Sequence, residues 1–471
     1  MGLKLYNTLS RSVEAFESLG ANGTAVGMYC CGPTIYDYGH IGNFRTFVFS
    51  DLVRRYLEFR GYEVNHVMNI TDVEDKIIAR VRAAHTTLRE YIAKYEQAFL
   101  EDMQTLNCLK PLHLPRATEH IGEMVQLIAQ LVERGIAYRA PDGSVYFGIE
   151  KYRAQGRCYG QLVHLDFEQM RPGERVQSDE YSKESVADFA LWKARVPEDG
   201  EVFWPSPWGE GRPGWHIECS AMSMKLLGQQ FDLHLGGEDL IFPHHEDEIA
   251  QSEGATLPPP DRHFVKYWLH CAHLLVEGEK MSKSLGNFFT LRDLLSKGYT
   301  GREIRFLLLK AHYRETFNFT LDGLDEARAA LGRLDECLLK LQELAGATVP
   351  DPAPELGERF QAALDEDLNI SAGWAVVFDW VRDLNRLLGA QQLSPAQAAS
   401  QVAAWGKIDK VLGVGRKTEI QVPPELLALL EERQAARKAK DFKRADALRE
   451  ELKAKGWVIE DTPKGPRLKP L

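Results

Sequence analysis

The chain has 471 residues, of which 44% are hydrophobic and 27% charged, as in a soluble globular protein. Its length exceeds what one hydrophobic core usually serves, so we expect two to four domains. The net charge of -11 argues against a surface that binds polyanions over its whole area, so any contact with nucleic acid must be local.

Cysteine usage and hydropathy indicate the compartment. Seven cysteines are too sparse for a disulfide scaffold, so free thiols or metal ligands in a reducing cytoplasm are the better interpretation. The N-terminus lacks the continuous apolar segment of a signal peptide, and no run of eighteen apolar residues occurs. We therefore expect a cytoplasmic protein that does not enter a membrane.

The stretch Gly32 to Thr46 reads GPTIYDYGHIGNFRT. An apolar run, Val26 to Cys31, precedes it, and the apolar spacing of Phe47 to Arg60 after it is helical. A glycine loop between a strand and a helix directs backbone N–H groups and a positive helix end at an anionic phosphate. Within the loop, His40 and Asn43 offer an imidazole and an amide donor. Taken alone, such a loop is more often only a turn.

A second stretch, Gly278 to Asn287, reads GEKMSKSLGN. Lys280 and Lys283 lie there with two serine hydroxyls between glycines, as a mobile loop that closes on phosphates requires. By itself this could be a solvated basic loop. Together with HIGN earlier in the chain, it resembles the pair of signature motifs of class I aminoacyl-tRNA synthetases.

Periodicity and composition divide the chain into five segments. Residues 1–125 and 206–300 are predicted to be the two halves of an α/β catalytic domain, a Rossmann-like parallel sheet that residues 126–205 split as an insertion. Residues 301–415, with long apolar periodicity from Leu321 to Leu344 and from Leu356 to Leu387, predict an α-helical bundle. Residues 420–471 follow as a small C-terminal RNA-binding module.

The C-terminal segment is basic within an acidic chain. From Arg433 to Leu471, twelve Lys and Arg residues stand against six Asp and Glu, a net +6 in a chain of -11. A charged helix face is usually only solvated. With Trp457 and the segment Lys464 to Lys469 following it, an RNA-reading module is the better interpretation.

The second catalytic half holds the densest set of metal-binding residue types. His244 and Glu248 are four residues apart and so share a helical face. Two sulfurs, one imidazole and one carboxylate would suit tetrahedral zinc, with Cys219 as the first thiolate. The spacing leaves the other ligands open, and a lone cysteine is usually a small buried hydrophobe. The remaining candidates are Cys30, Cys31 and His216.

Five motifs together resemble the cysteinyl-tRNA synthetase family, and they cover essentially the whole chain. The motifs begin at Cys31 (CGPTIYD), His40 (HIGN), Gly214 (GWHIECSAM), Gly236 (GGEDLIFPHHEDEIAQ) and Lys280 (KMSKSLGNFF). The resemblance implies an enzyme that activates L-cysteine with magnesium ATP and transfers it to tRNA(Cys). It further implies an anticodon contact by the C-terminal module and a tRNA stem contact by the bundle. We expect a monomer.

The resemblance also assigns roles to individual residues. One zinc ion per chain is implied, with the ligands Cys31, Cys219, His244 and Glu248. The ATP-binding set is Thr34, His40, Asn43, Asp239, Lys280 and Lys283, of which His40, Asn43, Lys280 and Lys283 are catalytic. Trp215 and His234 are implied at the amino-acid pocket, and Cys30 is left as a spare thiol.

Two departures from the family pattern limit the prediction. The fourth residue of the first motif is often His, and Asn43 stands there, although an amide can still donate to phosphate or ribose. Ala79 replaces the second lysine of a KIIK motif that some relatives use in a pyridoxal phosphate-linked persulfide activity, which we therefore do not expect. The insertion is too short and too poor in catalytic groups for an editing domain.

Two other functions are compatible with part of this sequence pattern. A cysteine-to-amino-sugar ligase of mycothiol synthesis resembles the same catalytic core but lacks an anticodon-type tail, which residues 420–471 supply here. A non-catalytic tRNA-binding paralogue should have lost a signature lysine or a zinc ligand, and the sequence retains them all.

Overall fold

The computed structural model describes residues 2–163, 188–256, 263–282, 285–346, 351–416, 423–439, 441–462 and 465–470. The chain forms two compact units, Met1–Val414 and Gly415–Leu471. The strands of the first unit are β1 Lys4–Asn7, β2 Ser12–Ala15, β3 Ala25–Cys30, β4 Glu63–Met68, β5 Ala137–Arg139, β6 Val145–Phe147, β7 Phe189–Ala194, β8 Gly211–Pro213, β9 Phe231–Gly237, β10 Val265–Cys271, β11 Leu274–Val276, β12 Glu279–Lys280 and β13 Phe317–Phe319.

The helices of this unit alternate with its strands in the first half and follow one another in the second. They are α1 Ile41–Phe59, α2 Asp75–Ala83, α3 Leu88–Thr105, α4 Ile121–Glu133, α5 Ile149–Ala154, α6 Trp215–Leu227, α7 Glu246–Thr256, α8 Leu291–Ser296, α9 Gly301–Leu308, α10 Leu321–Ala345, α11 Pro354–Leu364, α12 Ile370–Gly389 and α13 Pro395–Leu412. None of the described helices is long and apolar enough to cross a membrane.

The central sheet has four parallel strands in the order β10-β9-β3-β4. The chain builds β3 and β4 first and then places β9 on the other side of β3, so the strand order reverses between β3 and β9. In open parallel sheets, ligands bind outside the carboxyl ends of the strands at such a reversal. The predicted Rossmann-like fold is therefore confirmed, and its binding edge lies where β3 and β9 end.

The two faces of this sheet belong to different cores. Met28 and Cys30 of β3 pack in the core that includes α1 and the helical bundle. Tyr29 and Cys31 pack in the second core, which contains residues of α6, α7 and the inserted sheet. This division follows from the two-residue period of a strand.

Helix α1 connects the sheet to the bundle through buried charges. Arg305 on α9 is fully buried, and its guanidinium donates to Asp51 Oδ2 at 2.6 Å and to the Leu412 carbonyl at 2.7 Å. Arg55 donates to the same carboxylate at 2.7 Å. These contacts link the bundle to α1. Removing one member of this buried ionic group would leave another charge buried and unpaired, which is unfavourable.

The insertion is a separate antiparallel sheet with strand order β5-β6-β7-β8. Its first hairpin turns at Pro141 to Ser144, and its last strand, Gly211–Pro213, lies beyond the boundary predicted at residue 205. Residues 164–187 of the insertion lie outside the described part of the chain. Elsewhere in this unit, Thr87 and Glu90 form a capping box at the start of α3.

The periodic stretch Leu356 to Leu387 contributes two helices to the bundle, α11 and α12. Asp367 and Leu368 between them have φ angles of 55° and 53°, which a right-handed helix excludes. The Asp367 carboxylate accepts from the Tyr313 hydroxyl at 2.6 Å and the Tyr6 N–H at 2.8 Å, contacts that compensate for the break.

The second unit contains α14 Pro424–Lys438, α15 Phe442–Ala454, β14 Trp457–Thr462 and β15 Gly465–Pro470. The two strands pair antiparallel, and a small core of Leu426, Leu430, Leu452 and Leu468 lies among these elements. Between α10 and α11, residues 347–350 lie outside the described part of the chain, as do residues 417–422 before α14.

Candidate metal centre and nucleotide site

Four buried side chains converge at the carboxyl end of β3. Cys31 follows that strand, Cys219 lies on α6, His244 precedes α7 and Glu248 lies in the first turn of α7. One sulfur, nitrogen or oxygen atom from each lies within 4.8 Å of all the others. Residues separated by up to 217 positions are thus brought into one cluster, which we call the four-residue cluster.

The distances within the four-residue cluster match those between the ligands of one metal ion. Cys31 Sγ lies 3.9 Å from Cys219 Sγ and 3.5 Å from Glu248 Oε1. His244 Nε2 lies 3.2 Å from Glu248 Oε1. With zinc–sulfur bonds of about 2.3 Å and zinc–nitrogen or zinc–oxygen bonds of about 2.0 Å, tetrahedral ligands lie roughly 3.3–3.8 Å apart. The donor set therefore fits zinc.

A second possible ligand group shares two members with the first. It contains Cys31, His234, His245 and Glu248. His234 Nε2 lies 2.9 Å from Glu248 Oε2, and His245 Nε2 lies 3.4 Å from Cys31 Sγ. His245 was not among the residues predicted for the site. Its only signal in the sequence is the doubled histidine of PHHE.

The structure brings together some of the candidate ligands that sequence spacing left open and separates others from them. Among the described residues, neither possible ligand group includes His216, whose Nδ1 lies 2.8 Å from His244 Nδ1. Neither group includes Cys30, which belongs to the core on the opposite face of the sheet. Burial raises the pKa of Cys30 to about 12, so this thiol stays protonated at neutral pH.

The electrostatics of the four-residue cluster favour a cation. A hydrogen bond from the Cys31 thiol, acting against burial, lowers the pKa of Cys219 to about 6. Burial opposes ionisation of Glu248, but the charges and hydrogen bonds of His234 and His244 outweigh it and lower the pKa of this carboxyl to about 2. Both shifts favour the ionised thiolate and carboxylate, which are the forms that bind a cation.

The two signature motifs meet in space. The Ile41 N–H donates to the Phe289 carbonyl at 3.0 Å, and the His40 ring lies 5.3 Å from the Phe288 ring. A Cβ atom at Gly42 would lie 2.7 Å from Met281 Cε, the flexible end of that side chain, so the two motifs are in close contact at this glycine. The loop after β3 and the loop after β12 therefore form one site.

His40 and Asn43 cap helix α1. The Asn43 N–H donates to His40 Nδ1 at 3.2 Å, and the His40 N–H donates to Asn43 Oδ1 at 3.1 Å. Because Nδ1 accepts, a neutral His40 carries its proton on Nε2. Burial lowers the pKa of His40, which favours that neutral form, although Asp239 acts in the opposite direction. Both side chains thus keep N–H donors for a ligand at the positive end of the helix.

Comparison with known families agrees with this arrangement. Residues 18–329 match the model of the class I (C) tRNA synthetase catalytic domain, residues 359–415 match the DALR domain, and residues 421–466 match the cysteinyl-tRNA ligase anticodon binding domain. The chain belongs to the cysteinyl-tRNA ligase family.

Individual relatives align with this family member along its whole length. The cysteine--tRNA ligase of Chlamydia muridarum is 48% identical and covers 100% of both chains, and that of Chlamydia pneumoniae is 47% identical over 100% of this chain and 98% of its own. Mycobacterium tuberculosis methionyl-tRNA synthetase in complex with methionyl-adenylate has a TM-score of 0.59 at 15% identity, covering 83% of this chain and 90% of its own. The latter likeness concerns the fold.

The remaining predicted site residues of this family member lie around the same edge. Trp215 starts α6, and its ring lies 4.4 Å from the imidazole of the four-residue cluster. Asp239 is exposed in the turn after β9, and Thr34 forms an isolated parallel bridge beyond β4. Lys280 is exposed at the end of β12, whereas Lys283 lies outside the described residues.

Proposed function

We propose that this protein activates L-cysteine with ATP and ligates it to tRNA(Cys). The observation that carries the proposal is the four-residue cluster, placed at the strand-order reversal next to the joined signature loops. A soft donor set beside a phosphate-binding helix end suits a substrate that bears a thiol.

One zinc ion held by the four-residue cluster would bind the substrate thiolate, because a soft cation prefers sulfur to the hydroxyl of serine and lowers the thiol pKa. This set is preferred to the group with His234 and His245 because it contains two sulfurs rather than one. His244→Ala should therefore lose zinc and His245→Ala should retain it, as measured by elemental analysis. The opposite result would favour the second group.

The chain's own residues account for the first step by positioning and electrostatics. The carboxylate of cysteine attacks the α-phosphorus of magnesium ATP. Nε2–H of His40 and the amide of Asn43 donate to the phosphate as charge develops, and Lys280 and Lys283 hold the departing pyrophosphate. Asp239 is assigned to the ATP ribose. The adenylate then passes cysteine to the terminal ribose of the tRNA.

The other parts of the chain serve the RNA partner. The bundle of residues 301–415 is assigned to the tRNA stem, and the module of residues 420–471 to the anticodon. Trp215, with its ring against an imidazole of the four-residue cluster, and His234 are assigned to the amino-acid pocket, while Thr34 is assigned to ATP. The free state of all seven cysteines supports a reducing cytoplasm, and we propose that the protein acts there as a monomer.

The test is ATP–pyrophosphate exchange with each of the twenty amino acids, followed by charging of tRNA. Exchange with cysteine alone and formation of cysteinyl-tRNA are expected. Cysteine-dependent exchange without charging, but with ligation to an amino sugar, would instead favour the mycothiol-type ligase. Absence of any exchange would refute the proposal.

A further inference from the structure

Tyr29 lies directly behind the four-residue cluster. It precedes Cys31, which directly follows β3, by two positions, so both side chains are on the same face of the sheet, and the two residues belong to the same core. Tyr29 is 0% exposed. Its hydroxyl oxygen is also buried and has no partner in well-formed hydrogen-bond geometry within the described part of the chain, although the Cys219 side chain is near enough to interact with it. A buried polar group without a partner is uncommon and requires an explanation.

The surroundings of Tyr29 restrict where its hydroxyl can act. In the sheet Tyr29 pairs with His234 of β9, and the two rings lie 5.1 Å apart. Burial raises the pKa of the Tyr29 hydroxyl well above its usual value, and Cys219, Cys31 and Glu248 raise it further. A phenol is protonated at neutral pH, so its O–H is available to these groups as a hydrogen-bond donor.

The Cys219 sulfur is the acceptor that matches this donor. In the present structure the Cys31 thiol donates to Cys219 Sγ at 3.9 Å. A thiolate ligand has no proton to donate. As a metal ligand, the Cys219 sulfur would accept hydrogen bonds only, and the neighbouring phenol has one to donate.

We propose that Tyr29 is a positioning residue that donates its O–H to the Cys219 thiolate in the metal-bound protein. The inference rests on the proposed metal site and deepens it. Such a hydrogen bond orients the sulfur and withdraws charge from it, which sets both metal affinity and the acidity of a bound substrate thiol.

The variant Tyr29→Phe removes the hydroxyl and keeps the ring. Tyr152→Phe is a matched control, because Tyr152 is also fully buried with an unpaired hydroxyl but lies beside Glu246 and Glu253 rather than the sulfurs. In competition with a zinc chelator, Tyr29→Phe should bind zinc about 10- to 100-fold more weakly than the parent, and Tyr152→Phe should match the parent. Equal retention by the parent and Tyr29→Phe would overturn this inference alone. A parent that binds no zinc would overturn the proposed metal site as well.

Two further readouts separate this role from a structural one. In Co²⁺-substituted protein, the sulfur-to-cobalt charge-transfer band should move to longer wavelength in Tyr29→Phe, because a thiolate without its donor releases electron density more readily. In the metal-free state Tyr29→Phe should be at least as stable as the parent, since an unpaired buried hydroxyl is removed. An unshifted band, or an equal loss of stability with and without metal, would overturn the inference.

Discussion

Cys30 and Cys31 are adjacent in sequence, yet they lie on opposite faces of the central sheet. Cys30 packs with the core of α1 and the bundle, whereas Cys31 lies 3.9 Å from Cys219 in the four-residue cluster. Strand alternation causes this separation, because successive side chains along β3 and the residue that follows it point in opposite directions.

The two thiols should therefore respond differently to the same substitution. Cys31→Ser should lower the zinc content measured by elemental analysis, because a hydroxyl replaces a soft thiolate ligand. Cys30→Ser should keep one zinc per chain. If Cys30 proved necessary for zinc and Cys31 dispensable, the assignment of the pair would be reversed.

Cys219→Ser should weaken both cysteine binding and the choice of substrate. Its discrimination against serine is expected to fall toward the roughly 100-fold that a pocket without special chemistry provides. The measurement is the ratio of kcat/KM for cysteine and serine in pyrophosphate exchange. Cys158→Ser is the control, since Cys158 is exposed and outside both ligand groups. An unchanged ratio in Cys219→Ser would contradict the metal-based selection.

A chain ending at Val414 should keep cysteine-dependent pyrophosphate exchange, because the four-residue cluster and the described signature loops lie within the first compact unit. It should charge tRNA much less efficiently, because the basic C-terminal module is missing. Charging by the full-length protein should weaken as salt rises, since phosphate contacts release counterions. Equal charging by both chains would refute an anticodon role for residues 420–471.

Lys283→Ala should slow adenylate formation by roughly two to three orders of magnitude, about 3 to 4 kcal/mol. Negative charge builds on the departing pyrophosphate, so a lysine held there stabilises the transition state more than bound ATP. Single-turnover adenylation and transfer from preformed cysteinyl adenylate would be measured separately, with Lys340→Ala on α10 as a surface control. Equal slowing of both steps would show that Lys283 is not a phosphate clamp.

Asp102 on α3 should destabilise the protein as its carboxyl ionises. Burial raises the pKa of Asp102 from 3.8 to about 6, with Arg292 opposing the rise. Because the folded state holds this proton more tightly than the unfolded state, its contribution to stability falls as pH rises from about 4 to about 6. Asp102→Asn removes this dependence.

The stability advantage of Asp102→Asn over the parent should grow by on the order of 2 to 3 kcal/mol between pH 4 and pH 7. Denaturant unfolding of both proteins at several pH values measures that difference. Glu101→Gln is the control, because Glu101 pairs with the same Arg292 from an exposed position and its pKa is lowered. A difference that shrinks with rising pH would show that ionised Asp102 is well compensated.

Local chemistry in the sequence was sufficient for several elements. A capping box needs only residues three positions apart, so Thr87 and Glu90 in the sequence are sufficient to indicate the one that begins α3. The apolar periodicity of Leu356 to Leu387 continues through Asp367, whose partners Tyr6 and Tyr313 lie far away in sequence. The break between α11 and α12 thus depends on tertiary contacts that periodicity does not report.

The sequence by itself determined the family, the parallel α/β fold and the residue types of the site, because motifs and hydrophobic periods are local properties of the chain. The resemblance already named Cys31 and Cys219, but only the tertiary structure brought their side chains together, showed that His245 offers a competing imidazole, and placed the buried Tyr29 hydroxyl close to Cys219. Those facts depend on which faces of β3, α6 and α7 pack together. Sheet register and helix packing determine these contacts between residues that are far apart in the sequence.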